Sequence, residues 1–292
     1  MGSSRSLIIA GATGYGVWPA NTLEGARRCL AAPVDGVEID VQLTADRAVV
    51  AHHDYWLSPN STRLAGKWIA ERSAPIKALT LAQARRYDVG RLRPGSDQAR
   101  RYPDLEGMDG VAIPTLPELL EALTEAEGPR RLIYIEVKTD PSNPEASPAA
   151  DLITEAAIAA VESADWVSHA KIIAFDWSVL RLAKARAPDL ATAHLTIPPS
   201  LMGSVKRVEN GDSPWADGCD PRHFADSDLA AIAAHGGMEW SPYFTEVTPE
   251  RVEQAAALGL RVGPWGLSSS ADIQRMIGLG VFSTTVSGPA WA

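Results

Sequence analysis

Short β-type runs alternate with helical runs along almost the whole chain, and no other feature constrains the fold as much. The β-type runs are SLIIAGA, GVEIDVQL, RAVVAHHD, RLIYIEVKT, KIIAFDW, LATAHLT, MEWSPYF, LRVGPWGL and GVFSTTV. Between them lie stretches such as NTLEGARRCLAA, TLPELLEALTEA, SVLRLAKARA and TPERVEQAAALG, where apolar residues recur every three or four positions. Strand and helix alternating in this way predict a parallel sheet covered by helices. A chain of 292 residues suits a single TIM-type (β/α)8 barrel, which typically takes ~250 residues. The expectation is therefore one barrel domain over residues 1–292. Nine runs are one too many for eight strands. EIDVQL and RAVVAHHD are joined only by TAD, too short for a crossover helix, so one of them is expected to be a hairpin extension or a short bent strand. Two regions break the rhythm. Residues 55–113 form an excursion expected over the barrel mouth. Residues 197–227, rich in Pro, Gly, Ser and Asp, predict a long loop or lid.

The formal charge of -9 and the absence of a basic run argue against a nucleic-acid partner. They leave a phosphate substrate open, because a bound cation reverses the local sign. Cys29 and Cys219 form no CxxC pair and imply no disulfide framework. The first apolar run is too short for a leader and no run is long enough for a membrane span. A cytoplasmic protein is expected, and no heptad seam points to oligomerisation.

Charged residues at strand ends carry the chemistry. In GVEIDVQL, Glu38 and Asp40 alternate with Val37, Ile39 and Val41, so both acids share one strand face. Two buried acids side by side require a cation or basic partners. A hard ion, Mg²⁺ or Ca²⁺, meets that need. In IYIEVKTD, Glu136 and Lys138 share a face likewise; Glu136 offers a third ligand, and Lys138 a point charge for phosphate. VVAHHD ends a third run with His52, His53 and Asp54. An imidazole there suits proton transfer, and strand parity does not choose between the two histidines. Trp56, Trp177 and Trp265 follow β-type runs, where barrel loops build pockets. The segment IIAGATGYGVWPANT runs from a strand into a Gly-rich turn and a helix start, which suggests a phosphate-cradling loop.

Together these residues resemble the glycerophosphodiester phosphodiesterase family, which has the barrel of the PLC-like phosphodiesterases. The resemblance runs through PANTLEGA at 19–26, GVEIDVQLTADRAVVAHHDYWL at 36–57, IPTLPELL at 113–120, YIEVK at 134–138 and IIAFDWSVLRLAKARAPDL at 172–190, with a weaker tail. It implies a small insertion after the His-Asp motif, corresponding to residues 55–113. It implies a divalent cation on Glu38, Asp40 and Glu136, a phosphate contact from Lys138, and His53 as the acid or base, with Asp54 as its motif partner. The family's Ser-Phe aromatic falls on Phe175, with Ala174 in place of the Ser. The Trp of its Trp-Thr-Val-Asn motif falls on Trp265.

The departure lies in the opening segment. Where the family has His-Arg-Gly, this chain has Gly11-Ala12-Thr13, and Pro-Glu-Asn-Thr has become Pro19-Ala20-Asn21-Thr22. Gly11 and Ala12 supply neither a proton carrier nor a cation. The expectation from sequence is a divalent-metal enzyme on a small phosphodiester, pyrophosphorylated or lipid-like substrate. Its acid–base chemistry is altered, with lyase or cyclase chemistry as one outcome. His194, in ATAHLT, is the expected relocated proton carrier, and Trp18 and Tyr15 an expected apolar wall. The alternatives are a conventional phosphodiester hydrolase and an inactive binding protein.

Overall fold

The computed structural model describes residues 5–125, 129–202 and 211–288. Eight parallel strands line up as β11-β10-β9-β8-β7-β2-β1-β12. They are β1 (Leu7–Ala10), β2 (Gly36–Leu43), β7 (Leu132–Val137), β8 (Ala170–Ala174), β9 (Ala191–Thr196), β10 (Glu239–Pro242), β11 (Arg261–Val262) and β12 (Ser283–Val286). The two end strands meet through Phe282 N–H to Val262 O and Thr285 N–H to Pro264 O, both at 2.8 Å. The sheet thereby curls into the TIM barrel. The run RAVVAHHD is not a barrel strand. It forms β3 (Val49–Ala51), an antiparallel hairpin extension of β2 with Val41 opposite Ala51 and Leu43 opposite Val49.

Period-two alternation divides the side chains. On β2, Val37, Ile39, Val41 and Leu43 face outward into a core shared with the covering helices. Gly36, Glu38, Asp40 and Gln42 take the opposite face, toward the lumen. The lumen holds Ile9, Tyr134, Ile173, Ala193 and Leu195. Toward the strands' N-terminal ends it also holds a buried ion pair, Lys171 Nζ to Glu239 Oε1 and Oε2 at 2.7 and 2.8 Å. Lys171 also lies 4.0 Å from the centre of the Tyr134 ring. Six helices alternate with the strands: α1 (Leu23–Ala31), α4 (Leu116–Thr124), α5 (Ala150–Ser163), α6 (Trp177–Arg186), α8 (Asp228–Ala234) and α9 (Pro249–Ala257), with α10 (Ser270–Gly278) before β12. The starts of α1 and α4 are set locally: Thr22 accepts from Gly25 N–H, and Thr115 with Glu118 forms a reciprocal capping box.

Residues 55–113 lie between β3 and α4. They form three two-residue antiparallel strands, β4 (Arg63–Leu64), β5 (Lys67–Trp68) and β6 (Tyr87–Asp88), with short helices α2 (Leu81–Ala84) and α3 (Asp97–Arg101). This excursion has its own apolar cluster of Val50, Leu57, Ile76, Ala84 and Ile113. Among its described residues, the segment 197–227 contains α7 (Pro199–Met202) and two 3₁₀ turns. Its residues 203–210 lie outside the described residues, so the expected lid is described only in part. Among the described residues no helix is long and apolar enough to cross a membrane.

Candidate active site at the barrel mouth

The parity of β2 and β7 brings Asp40 opposite Glu136 and Glu38 opposite Tyr134 in register. Glu38, Asp40 and Glu136 converge so that one carboxylate oxygen from each lies within 4.8 Å of the others. Lys138 joins them, with Nζ 2.6 Å from Glu136 Oε1 and 3.6 Å from Asp40 Oδ1. Each acid has a defined orientation. Asn21 donates Nδ2–H to Asp40 Oδ2 at 2.8 Å, and the Asp40 amide donates to Asn21 Oδ1 at 3.0 Å. Asn21 does this from a left-handed backbone, φ 55°, a conformation asparagine tolerates well. The Ala12 amide donates to Glu38 Oε2 at 2.7 Å. The Gly-rich loop therefore spends this amide on the protein's own carboxylate.

The electrostatics call for a cation. Burial, then the charges of Asp40 and Glu136, push the Glu38 carboxyl well above the ordinary range. Burial also raises Glu136, against the pull of Lys138. Lys138 stays firmly protonated because Glu136 and Asp40 outweigh its burial. One ammonium among three acids leaves excess negative charge in a closed environment. Glu38 Oε1 is buried without a hydrogen-bond partner, an exception that calls for an explanation. An all-oxygen donor set with an orphaned carboxylate oxygen fits a hard divalent cation.

His53 stands at the end of β3 with its side chain 62 % exposed, and its Nδ1 lies 2.7 Å from Asp54 Oδ1. With the Asp54 carboxylate accepting, the proton sits on Nδ1 and leaves Nε2 free to exchange one. The Lys138 charge opposes protonation of His53, but Asp40 and the bond to Asp54 outweigh it and raise the pKa. Burial pushes Asp54 up, yet His53 brings it down to about 2. His52 differs: its Nε2 is shut away without a partner, and burial lowers its pKa.

Phe175 and Trp265 meet edge-to-face, with centroids 5.6 Å apart, and Tyr243 packs on Trp265 at 5.0 Å. Together with Ile197 and Trp215 they form an apolar wall. Trp18 and Trp56, the other two expected pocket residues, have different neighbours. Trp18 packs into the outer core beside Arg28 and Gly14, and Trp56 stacks under Arg72 at 4.4 Å within the excursion.

His194 points away from the mouth. Its strand neighbours Ala193 and Leu195 fill the lumen, so alternation sends His194 outward, against Trp177 at 5.1 Å. Its Nε2 pairs with His235 Nδ1 at 2.9 Å, and His235 Nε2 reaches Asp217 Oδ2 at 3.1 Å. The relocated proton carrier expected at this position is thus a packing histidine in the helix layer. Burial, followed by the neighbouring His235, depresses its pKa to about 3. The folded value lies below the unfolded one, so the neutral ring stabilises the fold above pH ~6.5. That stability is lost as the pH falls toward 3, at about 1.4 kcal/mol per pH unit. Urea unfolding from pH 7 to 4 should show His194→Gln with the shallower decline. Parallel declines would mean that His194 is not held neutral.

Asn21 was not singled out as a site residue in the sequence. A polar residue just before the helix-capping Thr22 is the signal the sequence offers. Only the fold shows that it also holds Asp40.

A TIM barrel whose mouth gathers three acids, a lysine and a His–Asp pair has the residues to hold a cation and to exchange a proton at one place. Residues 11–285 match the family model for the glycerophosphoryl diester phosphodiesterase family, and the chain belongs to that family. The glycerophosphodiester phosphodiesterase of Caldanaerobacter subterraneus subsp. tengcongensis is 27% identical over 285 residues, covering 98% of this chain and 95% of the relative. A crystal structure from Silicibacter pomeroyi DSS-3 with the same family description superposes with a TM-score of 0.86 at 31% identity, covering 99% of this chain and 92% of that one. An Oleispira antarctica phosphodiesterase, solved with its product sn-glycerol-3-phosphate, shares the fold with a TM-score of 0.67 at 18% identity, covering 98% and 94%.

Proposed function

We propose that the protein hydrolyses small phosphodiesters of the glycerophosphodiester kind, with Mg²⁺ or Ca²⁺ on Glu38, Asp40 and Glu136. The observation that carries this reading is the convergence of those acids with Lys138 and the His53–Asp54 pair at one mouth, in a chain of this family. The cation, when bound, would supply Lewis-acid polarisation of the phosphoryl group and a more acidic water. Lys138 neutralises charge developing on the phosphoryl oxygens. His53 carries the proton: Nε2, protonated, gives it to the departing alkoxide oxygen as the phosphorus–oxygen bond breaks, while Asp54 holds the ring. Water contributes the incoming oxygen, so the products are a phosphomonoester and an alcohol. Phe175 and Trp265 offer an apolar face to the organic part of the substrate.

Family membership supports hydrolysis better than the elimination or cyclisation considered from the sequence. A second reading, binding without turnover, is favoured by one feature: Gly11 and Ala12 leave His53 as the site's single histidine proton carrier. Release of phosphomonoester or alcohol from a panel of glycerophosphodiesters, lysophospholipids and isoprenyl diphosphates, with each metal, tests both. The expected result is turnover of the diesters, reduced about 10²–10⁴-fold in His53→Ala. Diphosphate release alone would favour elimination, and no product from any compound would favour the binding reading.

A further inference from the structure

The backbone pairing of β7 with β8 ends at Glu136 and Ile173, two residues short of Lys138 and Phe175. Past that point a side-chain bond ties the two strand ends together. Thr139, next in the chain after Lys138, donates its hydroxyl to Asp176 Oδ2 at 2.9 Å. Asp176 follows Phe175 and is the N-cap of α6. Its other oxygen, Oδ1, accepts from the Ser178 amide at 3.0 Å and from the Ser178 hydroxyl at 2.6 Å. Thr139 and Asp176 are 5 % and 4 % exposed, so water does not compete for the bond between them.

Capping alone does not account for a carboxylate at this position. The caps of α1, α4, α8, α9 and α10 are the hydroxyls of Thr22, Thr115, Ser227, Thr248 and Ser269, and each accepts an amide of its own helix. Asp176 does the same with one oxygen and reaches a different strand with the other. Burial pushes its carboxyl up, against the pull of Ser178 and Thr139, so an acid is buried where a neutral hydroxyl would cap as well. The bond to Thr139 lies between two groups of the mouth. On one side, Lys138 donates its amide to Val41 O at 3.1 Å and its ammonium to Glu136 Oε1 at 2.6 Å. On the other, the Phe175 ring meets Trp265 at 5.6 Å.

We propose that Asp176 is a positioning residue of this site: by holding Thr139 it fixes the span between Lys138, which takes the phosphoryl group, and Phe175, which takes the organic part of the substrate. It acts through its chain neighbours and not by contact with the substrate. This rests on the hydrolase reading for what Lys138 and Phe175 bind, and not for the clamp itself.

The test separates the clamp from the cap. Thr139→Val removes the donor hydroxyl and leaves the α6 cap untouched. Asp176→Ser keeps a capping oxygen but ends one bond short of Thr139. Calorimetric titration of each full chain with sn-glycerol-3-phosphate in saturating Mg²⁺ or Ca²⁺ should show binding about tenfold weaker in both. Thr139→Ser, which restores the hydroxyl, should bind like the wild type. Thr248→Ala, which removes the cap of α9 instead, should lower the unfolding temperature without weakening binding. Cation affinity should not fall in any of them, because none alters Glu38, Asp40 or Glu136. Equal binding by wild type and Thr139→Val, a loss in Thr139→Ser as large as in Thr139→Val, an equal loss in Thr248→Ala, or no binding by the wild type overturns the proposal. The expected binding pattern in a protein that hydrolyses no diester would instead remove the hydrolase reading and leave Asp176 in place. Diester turnover with equal binding by wild type and Thr139→Val would do the reverse.

Discussion

Asp40→Asn is expected to lower kcat/KM for the diester substrate by about 10³-fold, roughly 4 kcal/mol of transition-state stabilisation, and to weaken binding of Mg²⁺ or Ca²⁺ in parallel. Asp40 is 2 % exposed and is held on both sides by Asn21. The asparagine amide keeps the size of the carboxylate and an oxygen for the Asn21 donor. What it removes is one negative charge among three. The metal-free protein should therefore unfold no earlier than wild type, and can unfold later, because Asp40 is one of the charges that disfavour an ionised Glu38. Lost metal binding with retained or raised thermal stability is a combination that simple misfolding does not produce. The same cation affinity in wild type and variant would remove Asp40 from the ligand set. Asn21→Ala should show a smaller version, about 10–100-fold, as expected for a residue that only orients a ligand.

The legibility of this site followed the length scale of the signal. Glu38 and Asp40 stood out because period two is a local property, and the structure does place them on one face. The same rule, applied to His194, would have separated it from the mouth once Ala193 and Leu195 were known to face the lumen. The sequence ATAHLT alone does not say which face is inward, since alanine, leucine and threonine suit either. The hairpin at β3 was legible as a choice between two runs, because TAD is too short for a crossover. Tryptophan packs wherever apolar area is available: Trp18 lies against the outer core, and Trp56 against Arg72 within the excursion. The docking of Tyr102 on Tyr15 joins residues 87 positions apart in sequence. No periodicity encodes such a contact. Only Gly16, with its left-handed backbone, marks one side of it.

Gly11→His is the variant in which the expected change is a gain. Gly11 follows β1 as the first residue of a 3₁₀ turn, two positions beyond the lumen-facing Ile9. An added Cβ would lie 3.3 Å from Val286 O, 3.4 Å from Thr285 Cγ2 and 3.5 Å from Ser287 Oγ. That is close, but two of the three neighbours are side chains that can shift by a few tenths of an ångström. Position 12 is less accommodating. Ala12 has φ 44°, where a longer side chain offers no relief from the left-handed cost of roughly 1–2 kcal/mol. An imidazole at position 11 would add a second proton carrier to a site where, on the proposed function, His53 serves alone, and a positioned general acid or base contributes about 10²–10⁴-fold. Because the cation ligands are untouched, kcat for diester hydrolysis should rise by about 10²-fold, with KM and metal affinity nearly unchanged. The pH–rate profile should gain a second limb, because two imidazoles must then be in opposite protonation states. A rate equal to wild type, in a folded protein with intact metal binding, would show that the reaction is not limited by the proton transfer that Gly11 leaves unassisted. The loop would then have lost its histidine at no chemical cost, and the slow step would lie in binding or product release.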